Sequence, residues 1–159
     1  MFTSLISQHN ISNFSEEEIL HRNNLSDIPP ELIPNIFPTL KILQQIRTDL
    51  NIPIKINSSF RTKEHNAAVG GSPNSLHLYF NAIDFSVKGF TLANYNNLVY
   101  RINARCYITS IEFQGENRIL TPNIMGIGLY PNFIHIDTRG LLSLAYRQAG
   151  FKAPARWGI

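Results

Sequence analysis

The sequence predicts an α+β fold in which helices pack on a small antiparallel sheet. Three observations carry that expectation. Apolar residues recur at helical spacing through much of the first hundred residues, strand-like runs crowd the stretch from Cys106 to Asp137, and the connections between runs are short.

Each element has a local reason. "NFSEEEIL" holds a helix start, with Ser15 placed to cap and Glu18 three residues on to complete a capping box. From Pro30 to Leu50 the residues Leu32, Ile33, Ile36, Phe37, Leu40, Leu43, Ile46 and Leu50 follow a helical period. Pro34 and Pro38 interrupt it, so the regular helix is expected to start near Pro38 or just before it. "IPIKIN" predicts a short strand, and "RTKEHNAAVGG" a short helix stopped by Gly70 and Gly71. "NAIDFSV" predicts a strand, and Thr91 caps a helix that runs to Ala104. "CYITSIEF", "IMGIGLY" and "NFIHID" then predict three strands joined by turns, as an antiparallel meander. "LLSLAYRQAG" predicts a closing helix with Gly150 just beyond its end. No repeat, low-complexity tract or linker divides the chain. One domain over residues 1–159 is therefore expected, with 1–29 as an N-terminal helical segment and 30–159 as the core that carries the chemistry.

Composition narrows the function classes. A chain of 159 residues can bury a sizeable core without staples, and 43% hydrophobic against 16% charged residues is a globular balance. The single cysteine, Cys106, excludes an internal disulfide framework and a cysteine-based zinc site. The formal charge of +3 suits a soluble surface or attraction to a polyanion such as a bacterial wall. No Lys/Arg cluster with interleaved aromatics is present, so nucleic acid is not an expected partner. Neither a membrane-length apolar run nor a basic-then-apolar leader is evident, so no membrane partner and no signal peptide are expected. Action outside a cytoplasm would then require release by other means. A monomer is expected.

The chemistry gathers around "SLHLYFNAID" and "FIHIDTRG". His135 and Asp137 sit two apart in a predicted strand and so share one face of it. Asp84 lies in another predicted strand, and His77 in the loop leading into it. If those strands are neighbours, His77, Asp84 and His135 converge as two imidazoles and a carboxylate, a ligand set for a hydrolytic zinc ion with a position left open. Asp137 would then lie one strand step from a ligand, within reach of the attacking water as a general base. His9 and His21 in the polar N-terminal segment and His65 on a short helix carry no such pattern.

The stretch "NSSFRTKEHNAAVGGSPNSLHLYFNAIDFSV" resembles the zinc D-alanyl-D-alanine peptidase family, whose members carry an arginine-bearing turn, an Ala-Val-Gly-Gly-Ser segment and then Ser-x-His-x-x-Gly-x-Ala-x-Asp. "GIGLYPNFIHIDTRG" resembles the C-terminal motif of the murein endopeptidase branch, and "NFSEEEIL" with the helix after it resembles phage-type members. The resemblance runs from about Asn13 to Thr138. It implies a hedgehog/DD-peptidase-like fold, with His77, Asp84 and His135 as zinc ligands. It also implies that Arg61 binds a substrate oxygen and stabilises the oxyanion. The implied activity is zinc-dependent hydrolysis of peptide bonds in peptidoglycan stem peptides or cross-bridges, of carboxypeptidase or endopeptidase type, in a phage lysis or virion enzyme. Two positions depart from the family pattern: Phe80 stands where the motif has glycine, and Asn132 where many members place the catalytic carboxylate. Asp137 is the expected general base and Glu112 on the preceding strand the runner-up, while an orienting role for Asp137 toward His135 stays open. Tyr130 and Trp157 are candidates to line the substrate cleft. The rival class is a catalytically inactive wall-binding or virion structural module that retains the fold.

Overall fold

A computed structural model describes residues 1–142 and 151–159. The expected closing helix within 141–150 falls almost wholly outside the described residues. The chain opens with helix α1 (Phe2–Gln8) and helix α2 (Glu16–Leu20). Ser15 Oγ accepts from Glu18 N, and Glu18 Oε2 accepts from Ser15 N at 2.8 Å, so the capping box forms as its sequence requires.

The central helix α3 (Ile36–Leu50) begins two residues before Pro38, which lies in the first turn where no intrahelical N–H is needed. Pro34 lies instead in a 3₁₀ segment, Pro30–Asn35, that leads into it. Strand β1 (Ile54–Ser58), helix α4 (Lys63–Ala68), strand β2 (Ala82–Val87) and helix α5 (Leu92–Asn103) follow in the expected order. Thr91 caps α5 through the backbone of Asn94.

Strands β3 (Thr109–Phe113), β4 (Glu116–Leu120), β5 (Gly126–Leu129), β6 (Ile134–Asp137) and β7 (Ala155–Trp157) complete the fold. The expected three-strand meander is corrected here. β3 pairs only with β4, as a separate hairpin turned by Gln114 at φ 54° and Gly115 at φ 78°, a two-residue turn of the kind that matches strand twist. The main sheet has the order β1-β2-β6-β5-β7, antiparallel throughout except for β7, which runs parallel to β5.

The pleat separates two faces. Ile83 and Phe85 of β2, Ile134 and Ile136 of β6, and Ile127 and Leu129 of β5 alternate onto the side that joins the hydrophobic core, with α3 against β2 and β3. That core extends without a break into the N-terminal segment through Phe2, Ile6, Phe14 and Ile19. Asp84, His135 and Asp137 take the other face, and the residues paired with His135 and Asp137 on β5 are Gly128 and Gly126. The glycines have a steric reason. A Cβ on Gly126 would fall 2.4 Å from Asp137 Oδ2, and one on Gly128 would fall 2.3 Å from Trp157 Nε1. β5 thus gives up side chains on one face to make room for those of its neighbours.

Phe80 answers the question raised by the missing motif glycine. Its backbone keeps the left-handed conformation, φ 52° and ψ 45°, which costs a non-glycine residue about 1–2 kcal/mol. Its ring is fully buried between Phe2 and Phe60, at centroid distances of 6.3 and 6.2 Å, and burying such a side chain contributes about 1.5–3 kcal/mol. The turn survives because the ring's burial offsets the strain.

Candidate metal centre

Asp84 and His135 are direct cross-strand partners on β2 and β6. His77 approaches from a short 3₁₀ turn, Leu76–Tyr79, whose start is capped by Ser75 Oγ. The structure therefore brings together the three residues expected as ligands, all buried, each offering a donor atom within 4.8 Å of the other two.

The hydrogen bonds fix which atoms face the centre. His77 Nδ1 lies 2.6 Å from the carbonyl oxygen of Ser59, an acceptor only, so the imidazole proton sits on Nδ1 and the Nε2 lone pair is bare. That Nε2 is 3.2 Å from Asp84 Oδ1 yet makes no hydrogen bond, and it is the one buried side-chain polar atom among the described residues left without a hydrogen-bond partner. A buried orphan of this kind normally costs about 1–3 kcal/mol, so it asks for a ligand. His135 Nδ1 lies 2.8 Å from the same Asp84 oxygen. Two imidazole nitrogens and one carboxylate oxygen form a set that suits zinc.

Electrostatics follow from the enclosure. Burial lowers the pKa of His77, with Asp84 pulling the other way. Burial also disfavours charge on His135, but its bonds to Asp137 and Asp84 outweigh it and push the group up to about 9. Asp84 is held well below the usual carboxylate range by His135 and His77 despite a burial cost.

Arg61 lies just past β1, its backbone N–H bonded to the His77 carbonyl at 3.1 Å. Its Nη2 donates to Asp84 Oδ2 at 3.1 Å and its Nε to Ser58 Oγ at 3.0 Å. Asp84 therefore faces both imidazoles with one oxygen and the guanidinium with the other. Asn66 of α4, buried, binds the Ser72 carbonyl at 2.8 Å and approaches Arg61 Nη1 at 3.5 Å.

Asp137, the expected general base, lies behind His135. It is 0% exposed, and its oxygens accept from Gly126 N, from Arg139 N, Nε and Nη2, and from His135 Nε2 at 2.8 Å. It meets the His135 nitrogen opposite the one that faces Asp84. Arg139 and His135 hold it far below the usual carboxylate range against the cost of burial. The imidazole stands between this carboxylate and Asp84, which is the arrangement of the orienting role left open for it. Glu112, the runner-up, stands elsewhere. It is exposed on β3, in the separate hairpin, and does not line the cavity over the centre.

That cavity measures about 490 Å³ and is walled by His77, Asp84 and His135 with Arg61, Tyr130 and Trp157. His9, His21, His65 and Asn132 do not line it. Tyr130 and Trp157, both anticipated as cleft residues, are joined by a 2.9 Å hydrogen bond from Trp157 Nε1 to Tyr130 Oη. The Trp157 ring lies 5.0 Å from His135 and 5.4 Å from the Arg139 guanidinium.

Sequence reasoning missed the support beneath the centre. Asn81 Nδ2 donates to the Asn35 carbonyl and to Thr138 Oγ1, and Asn81 Oδ1 accepts from Thr138 N. Thr39 Oγ1 donates to the Asn81 carbonyl at 2.7 Å, and Asn35 Nδ2 to the Tyr79 carbonyl at 3.0 Å. This buried network ties α3 to the turn carrying His77 and to the end of β6. The position of Asn81 inside the His77–Asp84 interval was its only signal in the sequence.

Residues 12–137 match the family described as Peptidase M15. The chain belongs to this family. The match begins before the central helix and ends on Asp137, so it takes in Arg61 and all three residues of the His-Asp-His group. Among curated proteins, none matches the chain.

Proposed function

We propose that this M15 peptidase is a zinc enzyme that hydrolyses peptide bonds in the stem peptides or cross-bridges of bacterial peptidoglycan. The observation that carries the reading is the bare, buried His77 Nε2 beside Asp84 and His135 in the wall of a cavity that also holds Arg61. When bound, zinc supplies Lewis-acid polarisation of the peptide carbonyl and activation of water.

The protein's own residues do the rest. The Ser59 carbonyl accepts from Nδ1 of His77 and Asp137 from Nε2 of His135, so each imidazole would turn its other nitrogen to the metal, His135 giving up its second proton as zinc binds. Asp137 is on this reading a positioning residue, and Arg139 fixes it through two parallel bonds at 2.9 and 2.8 Å. Arg61 is held by Asp84 and Ser58 and uses its remaining N–H groups on the substrate oxygen where negative charge develops. Tyr130 and Trp157 form a wall of the substrate cleft. Burial of a fixed guanidinium beside the reacting carbonyl strengthens its effect over that in water.

One observation favours a second reading. Asp84 is the only carboxylate lining the cavity among the described residues, and residues 143–150 contain no Asp or Glu. A wall-binding or virion module that retains metal without turnover would fit that lack of a spare base. Purified peptidoglycan incubated with the zinc-loaded protein separates the two. Release of soluble muropeptides, identified by mass spectrometry, supports the peptidase and names the bond cut. Bound zinc with wall binding but no released peptide supports the module.

A further inference from the structure

Tyr130 holds a hydroxyl that nothing in the ligand set explains. Its backbone N–H closes a tight turn onto the Phe133 carbonyl at 3.1 Å, and its ring stacks on Phe133 at 4.2 Å with planes 7° apart. Two restraints therefore fix the phenol. An indole N–H can only donate, so in the 2.9 Å bond from Trp157 the Tyr130 oxygen is the acceptor. The hydroxyl hydrogen must point elsewhere, and no described protein group accepts it. Tyr130 and Trp157 both line the cavity over the His-Asp-His group.

Trp157 is itself built in. Gly128 leaves the space its ring occupies, and His135 and Arg139 lie against it. Arg156, next in line, donates to the carbonyls of Met125, Ala155 and Pro122 and to Asn103 Oδ1, which locks β7 beside β5. A three-residue strand with so many ties is a mount for one side chain.

We propose that Tyr130 is a substrate-positioning residue: its hydroxyl, oriented by the Trp157 indole, donates a hydrogen bond to an oxygen of the bound peptide on the wall of the cavity. The acceptor is a backbone carbonyl or a terminal carboxylate, since both are bare oxygens that a phenol recognises. The proposal rests on the peptidase reading for its substrate and on the hydrogen-bond direction for its residue.

The test uses Tyr130→Phe, Trp157→Phe and the double variant, each checked for zinc content and melting temperature. D-alanyl-D-alanine and its C-terminal amide serve as probes for binding to the metal-free protein. Trp157 is the only tryptophan, so the nitrogen-proton spectrum contains a single indole resonance to follow. The expected result is a peptide-induced shift of that resonance in the wild type and about tenfold weaker binding in Tyr130→Phe, as for loss of one hydrogen bond. In the loaded enzyme the same substitution should raise KM on wall peptides with zinc content intact, and Trp157→Phe, which keeps the hydroxyl, should cost less. Equal rises in KM in the two single variants and the double would reduce Tyr130 to a prop for Trp157 and overturn the proposal, as would an unchanged indole titration in Tyr130→Phe. Weakened binding of the acid alone identifies a carboxylate as the acceptor, and of both probes a carbonyl. A wild type that releases no wall peptides defeats the peptidase reading instead, which the indole titration reads separately.

Discussion

Asp137→Asn separates the positioning role proposed for this residue from the role of general base that its sequence position suggests. The carboxylate receives five hydrogen bonds, two on Oδ2 and three on Oδ1, all from donors. Asparagine offers one oxygen and one NH₂ group, so in either orientation its NH₂ faces donors. It also strips Arg139 of its buried counter-charge. Removing one partner of a buried pair costs about 3–5 kcal/mol. For a chain of this size that lowers the melting temperature by about 6–20 °C. Loss of the bond to His135 Nε2 should weaken zinc binding by roughly ten- to a hundredfold, because the imidazole is no longer held. Calorimetry, chelator competition and muropeptide release at several zinc concentrations measure the three quantities. The expected outcome is a destabilised protein whose activity returns as zinc is raised. A protein of wild-type stability, fully zinc-loaded and inactive at every concentration would refute the reasoning and restore Asp137 as the base.

Three further outcomes are expected. Phe80→Gly relieves about 1–2 kcal/mol of left-handed strain but empties a site whose loss as Phe→Ala costs about 3–5 kcal/mol, so denaturant titration should show a net loss of about 1–4 kcal/mol. Arg61→Lys keeps the charge but loses the fork that reaches Asp84 and, on the proposed reading, the substrate oxygen, and turnover should fall about a hundredfold with little change in melting temperature. His135 is raised to about 9 in the metal-free protein, so zinc must displace its proton below that pH. Apparent zinc affinity should therefore rise about tenfold per pH unit toward 9 and then level off, with one proton released per zinc in calorimetry. By the same sign, the metal-free protein keeps the stabilising contribution of His135 in full below pH 6.5 and loses it as the pH rises through about 9.

The parts of the fold that were legible in the sequence are those set by local chemistry. Ser15 with Glu18, and Thr91, announce helix starts because a capping side chain closes onto the backbone three residues on wherever the helix is placed. The shared face of His135 and Asp137 follows from the period of a strand. Partners across the sheet are another matter. Nothing near Thr109–Phe113 says that it folds back on Glu116–Leu120 and leaves β5 to pair with β6, although Gln114-Gly115 marks the turn. Ala155–Trp157 is too short to show a period, and its parallel pairing with β5 depends on the Arg156 clamp and on the space above Gly128. In the candidate site, the residue types and positions of His77, Asp84, His135 and Arg61 were legible. The side of the imidazole on which Asp137 stands was not, because sequence gives the face of a strand but not the rotation of a ring.

The central claim is that His77, Asp84 and His135 hold one zinc ion. Elemental analysis after removal of metal, reloading and desalting tests it directly on the wild type and on His77→Ala, with circular dichroism to show that both are folded. The account predicts one zinc per chain in the wild type and loss of stoichiometric zinc in folded His77→Ala. A wild type that takes up no zinc, or a His77→Ala protein that keeps a full equivalent against a chelator, would contradict it.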